Sequence, residues 1–122
     1  MSVSPIETLD ILGLKLQGQS LTLETRYTFN SAGLNNYYVL GNLVFFYFDI
    51  NISSASSSLV AYLPTAITPS VQINNVNWCS NSNVNHIALC SVKNDSTFLL
   101  RTLGGGILPD SRVSGNIFYT IS

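Results

Sequence analysis

The sequence predicts an all-β domain, an antiparallel β-sandwich of about eight strands with a jelly-roll-like arrangement. Apolar and polar residues alternate with period two along most of the chain, and no long segment keeps the spacing of an amphipathic helix. Turn-forming residues separate the alternating segments, and proline is absent from the segment interiors. A chain of 122 residues is also the size of one ordinary domain.

Three candidate strands occupy the first half of the chain. Residues 12–16 place leucine at every second position and predict a strand that forms a hairpin with residues 21–29 through Gly18. Leu43–Ile52 carries the strongest pattern, with one face entirely apolar. Its other face begins with aromatic residues and ends with Asp49 and Asn51, so we expect another sheet, a loop or a second subunit to cover half of it.

The second half of the chain contains five shorter candidate strands, over residues 58–62, 70–76, 86–93, 97–103 and 113–121. Turn signals separate them, among them Asn94 with Asp95 and the glycines of residues 104–106. The sequence shows no internal repeat and no linker. We therefore predict a short N-terminal arm over residues 1–8 and one β-sandwich domain over residues 9–122.

Low charge is the most unusual property of the composition. Charged residues make up 9% of the chain, against about 25% in an average protein, and the formal net charge is −1. The basic residues are scattered, so we expect no nucleic acid partner and no attraction to anionic membranes. The most apolar run is interrupted by Gly41 and Asn42 and is too short to insert into a membrane as a helix. Asn, Ser and Thr must keep the surface hydrated, and such a surface suits neutral polar ligands.

Residue types that carry catalysis are sparse. His86 is the only histidine, no Gly-x-Ser-x-Gly motif surrounds a serine, and the six acidic residues form no clear catalytic pair. Cys79 and Cys90 match no metal-binding spacing, and we expect free buried thiols, with a disulfide as the open alternative. We therefore predict a binding protein without catalytic activity, metal or cofactor, and a small β-sandwich hydrolase is the least favoured alternative.

A binding site is predicted around Trp78, the only tryptophan of the chain. It lies in an asparagine-rich segment with Asn75, Asn77 and His86, and an aromatic face beside polar groups is suited to a neutral sugar. Asp49 joins this candidate saccharide site because it follows an aromatic stretch on the polar side of its strand. The alternative is that Trp78 covers one end of the core and the asparagines form turns.

Three segments, in this order, resemble the C-terminal receptor-binding head domains of bacteriophage tail fibres and baseplate proteins. They are residues 41–52 (GNLVFFYFDINI), residues 62–70 (YLPTAITPS), which follow a serine-rich loop, and residues 113–122 (VSGNIFYTIS). The resemblance is one of composition and order, and it extends over residues 36–122. Such heads usually follow a long trimeric stem, whereas this sequence carries at most a short arm before its first strand.

The resemblance implies a homotrimer that serves as the host-recognition module of a phage tail and binds a cell-surface saccharide. It also implies a virion protein that assembles with other tail proteins in the host cytoplasm. Phe45, Tyr47 and Phe118 lie on the sides of their strands that are less clearly directed at a core, so we expect them to form the subunit contact. The alternative is a structural virion protein, such as a capsid-decoration or tail component, without a saccharide site.

Overall fold

The computed structural model describes residues 8–11, 14–53, 58–81, 84–102 and 111–121, and within them the side chains of residues 8–17, 81, 84–86 and 102 are not described. The described part consists of ten β-strands and one 3₁₀ turn, Thr65–Ile67. The strands are β1 (Thr8–Ile11), β2 (Leu14–Gln17), β3 (Tyr27–Phe29), β4 (Tyr37–Leu40), β5 (Leu43–Ile52), β6 (Leu59–Tyr62), β7 (Ile73–Asn81), β8 (Val84–Val92), β9 (Thr97–Thr102) and β10 (Ser111–Thr120).

Eight of these strands form one antiparallel sheet, in the order β3-β5-β10-β7-β8-β9-β6, with β4 also paired to β5. The sheet curls until its two edge strands, β3 and β6, almost meet. The segment before β3 contacts β6 through an isolated bridge between Leu23 and Ala61. The backbone N–H of Glu24 also donates to the carbonyl of Val60 at 2.7 Å. The predicted all-β antiparallel sandwich is therefore confirmed, and its shape is that of a nearly closed barrel.

Strands β5 and β10 form the longest ladder of the sheet, pairing from Leu43 with Thr120 to Ile52 with Ser111. Successive side chains of a strand point to opposite faces, so every second residue of both strands enters the interior. The inner residues of β5 are the even-numbered ones that the sequence pattern assigned to the core. The buried core side chains are Leu21, Tyr27, Tyr37, Val44, Phe46, Phe48, Ile50, Ile52, Val60, Ala61, Leu63, Ile67, Cys79, Ala88, Cys90, Val92, Phe98, Leu100, Val113, Ile117 and Tyr119.

The first part of the chain departs from its predicted pairing. Strand β2 pairs with β1 rather than with residues 21–29, so the predicted hairpin through Gly18 is wrong. Residues 21–29 are also interrupted by a turn, in which the N–H of Tyr27 donates to the carbonyl of Glu24 at 3.0 Å. Apolar and polar residues alternate through that turn as they do in a strand. The sequence pattern therefore did not reveal the turn. Strands β1 and β4 were not predicted.

The remaining strands lie where the sequence placed them, with shifted ends: β7 begins later than predicted and continues through Trp78 to Asn81. Of the predicted arm over residues 1–8, only Thr8 belongs to the described residues, and the turn at residues 104–106 lies outside them. Within the part of the chain that the structure describes, no helix is long and apolar enough to cross a membrane.

Buried thiols make the fold sensitive to alkali. Burial raises the pKa of Cys90 from its ordinary value of 9.0 to about 12, an effect that the Asn77 side chain partly opposes. In the unfolded chain the thiol ionises first, so its contribution to stability is complete below pH 9.0 and is lost as the pH rises towards about 12. We expect the free energy of unfolding to fall in this range, by at most about 1.4 kcal/mol per pH unit from this group.

Urea unfolding at several pH values between 8 and 11 tests this expectation. The variant Cys90→Ala should lose less stability per pH unit than the unsubstituted protein, although tyrosine ionisation contributes to both. Equal slopes for the two proteins would show that ionisation of Cys90 is not linked to unfolding.

Candidate functional site

The outer face of the sheet exposes an aromatic ring at Trp78. Its side chain is 43% exposed, and across the ladders Trp78 pairs with Ile87 of β8 and Ser114 of β10. Ser114 in turn pairs with Asp49 of β5, so Asp49, Ser114 and Trp78 form one row across three strands. Opposite residues in antiparallel strands project to the same face, which brings the predicted residues Trp78 and Asp49 to the same side of the sheet.

Arg112 connects the two ends of this row. Its guanidinium carbon stands 5.7 Å from the centroid of the Trp78 ring, within the range of a cation–π interaction. Arg112 lies two positions from Ser114 on β10, on the same face of the strand.

The Arg112 guanidinium also forms a bidentate ion pair with Asp49. Nε of Arg112 donates to Oδ1 of Asp49 at 2.8 Å, and Nη2 of Arg112 donates to Oδ2 of Asp49 at 2.6 Å. These hydrogen bonds raise the pKa of Arg112, and burial opposes them. Asp49 is only 3% exposed, whereas the Arg112 side chain is 41% exposed. The carboxylate therefore holds the guanidinium in one orientation and leaves its remaining N–H groups towards solvent.

A loop between β3 and β4 explains why a carboxylate on the outer face is buried. The N–H of Asp49 donates to Oδ1 of Asn35 at 2.7 Å, and the N–H of Asn30 donates to the Asp49 carbonyl at 2.8 Å. Gly33 lies so close to the Asp49 side chain that a Cβ atom at Gly33 would overlap its carboxylate. Of the three coverings considered for half of this face of β5, the structure shows a loop over Asp49, while Phe45 and Tyr47 are partly exposed.

An open depression of about 350 Å³ lies beside Arg112. Its wall combines hydroxyl and amide side chains with apolar surface, and the exposed side chain of Arg112 adds hydrogen-bond donors. Together with the Trp78 ring they offer an apolar surface next to polar groups, the combination that holds a small polar ligand. The lining residues are Asn51, Ile52, Ser53, Ser80, Ser111 and Arg112.

Asn75 and Asn77 bind the backbone of β10 instead of facing a depression. The ladder between β7 and β10 ends at the pair of Trp78 and Ser114. Beyond it, Nδ2 of Asn75 donates to the carbonyl of Asn116 at 2.6 Å, and Oδ1 of Asn77 accepts from the N–H of Asn116 at 3.1 Å. The two amides thus replace ladder hydrogen bonds, and Gly115 gives Asn77 the space to do so. Nδ2 of Asn77 is buried without a hydrogen-bond partner of adequate geometry.

The backbone of His86 pairs with that of Cys79, next to the pair of Trp78 and Ile87, while its side chain lies outside the described part of the structure. The structure therefore joins two of the five predicted contacts, Trp78 and Asp49, through Arg112. Sequence reasoning did not select Arg112. The available signal was a lone cation at the start of a strand whose outer face is otherwise neutral.

A second aromatic group occupies the outer face of β5 and β10. The Phe118 ring packs edge-on against Phe45 and Tyr47, with centroid separations of 5.4 and 5.5 Å. Phe118 is 50% exposed, and Phe45 and Tyr47 are partly exposed. The three residues predicted to form a subunit contact are therefore adjacent and form one surface, which we call the aromatic patch.

Among the described side chains, no group of three His, Cys, Asp or Glu residues lies close enough together to hold a metal ion. Cys79 and Cys90 are both buried, and they are not joined by a disulfide.

Comparison with solved structures identifies the fold. The crystal structure of the head domain of lactococcal phage bIL170, described among the receptor binding domains of lactococcal phages, superposes with a TM-score of 0.67. The match covers 88% of this chain and 99% of the phage domain at 11% sequence identity, so it establishes a shared fold. No family model and no curated protein sequence matches the chain.

Removing the cation should destabilise the domain, because the Asp49 carboxylate would stay buried without its partner. For Arg112→Met we expect a loss of about 2–3 kcal/mol in the free energy of unfolding, somewhat below the value for a fully buried pair since Arg112 is partly exposed. Asp49→Asn combined with Arg112→Met removes both charges and should recover part of the loss. Arg26→Met, at an exposed arginine, is the matched control with an expected change below about 0.5 kcal/mol. Chemical denaturation measures all three, and an unchanged Arg112→Met variant would contradict the assigned role.

Proposed function

We propose that this domain is the host-recognition module of a phage tail and that it binds a cell-surface saccharide as a homotrimer. The observation that carries the proposal is the exposed Trp78 ring, with Arg112 held beside it, on a sheet that has the fold of a phage receptor-binding head. The proposal places the domain in the virion, at the tail, with other tail proteins as neighbours and assembly in the host cytoplasm.

In this proposal the saccharide lies against Trp78 and enters the depression beside Arg112. Sugars present apolar C–H faces that pack on aromatic rings, and their hydroxyl groups accept and donate hydrogen bonds. Arg112 supplies charged donors, while Ser80 and Ser53 supply neutral groups. Asp49 is a positioning residue that orients Arg112. His86, whose backbone pairs with that of Cys79, remains a further proposed contact.

Asn75 and Asn77 support the same site indirectly. Their hydrogen bonds to Asn116 hold β10 against β7 where the ladder ends. The ladder sets the spacing between Trp78 on β7 and Arg112 on β10, and these hydrogen bonds continue the attachment beyond its end.

The homotrimer is proposed to form through the aromatic patch. Partly exposed aromatic rings that lie side by side are costly to leave in water, and they favour burial against another protein surface. A surface with few charges also loses little solvation energy in such a contact. We therefore assign Phe118, at the centre of the patch, as the main contact with a second copy of this chain.

Saccharide binding should depend on Trp78. We expect Trp78→Ala to weaken binding at least tenfold, because an aromatic anchor of an interface often contributes about 2 kcal/mol or more. The probes are purified cell-surface polysaccharides from a panel of bacterial strains that includes lactococci, and titration calorimetry gives the affinity. Tyr62→Ala, which removes a ring that is 63% exposed on β6, is the matched control and should bind normally.

Trp78 also offers a direct readout, because as the only tryptophan it reports on this site alone through its fluorescence. Binding that is unaffected by Trp78→Ala would place the ligand elsewhere. A trimer that binds no polysaccharide of the panel would instead favour a structural virion protein without a saccharide site.

The mass in solution tests the trimer. Light scattering should give about 40 kDa, three times the chain mass of 13.3 kDa. Phe118→Asp should yield a folded monomer, because it places a charge at the centre of the proposed contact. Val71→Asp changes an apolar side chain that is 62% exposed outside the aromatic patch and should leave the trimer intact. A monomeric unsubstituted protein would contradict the proposal, and circular dichroism confirms that each variant is folded.

A further inference from the structure

A second cavity, of about 280 Å³, opens on the sheet at β8 and β9, away from Arg112. Its wall is predominantly polar, and two of its residues are cations. The lining residues are Ser58, Gln72, Ser91, Lys93, Leu99 and Arg101.

Positive charge in this cavity is incompletely balanced. Nζ of Lys93 lies 3.7 Å from Oδ2 of Asp95, and the Asp95 side chain is 58% exposed, so this ion pair is weak. Arg101 is exposed and forms no ion pair with any described carboxylate. Among the described side chains, Lys93 therefore has one weak, hydrated carboxylate partner and Arg101 has none, in a chain whose formal net charge is −1.

Hydrogen bonds from two lining residues occupy the side-chain oxygen of the neighbouring Asn74. Oδ1 of Asn74 accepts from Oγ of Ser91 at 2.7 Å and from Nε2 of Gln72 at 2.8 Å. Both lone pairs of that oxygen are therefore used, and the two donors are fixed in position. A second N–H of Gln72 and the N–H groups of Lys93 and Arg101 are left as donors, and the side-chain acceptors that remain in the lining, Oε1 of Gln72 and the hydroxyl oxygens of Ser58 and Ser91, are uncharged.

We propose that this cavity is a second binding site, which takes an oxyanion such as a phosphate or carboxylate group. Several donors and two cations that converge on one cavity match the many acceptor oxygens of such a group. The cavity is larger than a bare anion needs, so it also accommodates part of the molecule that carries the charge. The site is independent of the saccharide proposed at Trp78.

The second cavity lies on the same outer face of the sheet as Trp78. Asn74, which holds Gln72 and Ser91, lies four residues before Trp78 on β7 and projects to the same side of the sheet. At about 3.3 Å per residue the two positions are roughly 13 Å apart along the strand. One extended molecule with a charged substituent could therefore contact both sites at once.

Amide chemical shifts in ¹⁵N-labelled protein test the site at constant ionic strength. The probes are inorganic phosphate, glucose 6-phosphate and glucuronate, with glucose as the neutral control. We expect saturable shifts at Gln72, Ser91, Lys93 and Arg101 with one or more of the anions and none there with glucose. The double variant Lys93→Gln with Arg101→Gln should bind at least tenfold more weakly, whereas Arg26→Gln, which removes an exposed arginine elsewhere, should bind normally.

The pattern among the probes identifies the group that is recognised. Binding of phosphate and glucose 6-phosphate without glucuronate assigns a phosphate site, and the reverse assigns a carboxylate site. Equal shifts in the double variant, or no saturable shift with any anion, would overturn the proposal. Trp78→Ala should leave anion binding unchanged, so failure here and failure of saccharide binding at Trp78 are measured separately.

Discussion

Unbroken pairing between β5 and β10 is the constraint on which both the core and the candidate site depend. It places Val44, Phe46 and their successors in the interior and Asp49 on the outer face. Asp49 pairs with Ser114, and Arg112 lies two residues away on the same face, which is the diagonal relation that lets a long side chain reach across strands. A slip of one residue would exchange the faces and direct a charge into the core, so core packing and the ion pair enforce the same register.

Sequence patterns predicted the fold well where one face of a strand is buried along its whole length. Leu43–Ile52 shows this alternation and was placed correctly. Strand β4 was missed because Tyr37–Leu40 is apolar at every position: Tyr37 packs in the core, while Tyr38 is covered on the other face. The turn at Glu24 was missed for the opposite reason, since residues 21–29 keep a strand-like alternation through a segment that is not a continuous strand. The local sequence pattern indicates which face of a strand is buried, but it does not indicate which other strand pairs with it.

The candidate site was only partly accessible to the same reasoning. Composition drew attention to Trp78 and Asp49, because a lone tryptophan and an acid after an aromatic stretch stand out in this sequence. Arg112 is 63 residues from Asp49, and nothing in the sequence specifies that contact before the strand order is known. Asn75 and Asn77 show the converse: amides that resemble ligand contacts in the sequence are needed to complete backbone hydrogen bonds where two strands diverge. An amide is ambiguous in this way because it matches a peptide group as well as it matches a sugar hydroxyl.

The two cysteines have a consequence for where the domain can remain folded. Both thiols are buried and unlinked, and the chain has no other cysteine. Disulfide-dependent domains gain their stability only in oxidising surroundings, whereas this domain is held by packing, hydrogen bonds and the ion pair of Asp49 with Arg112. Its stability is therefore independent of the ambient reduction potential. The same folded state can persist in the reducing interior of a cell and in the oxidising medium outside it, without a maturation step between the two.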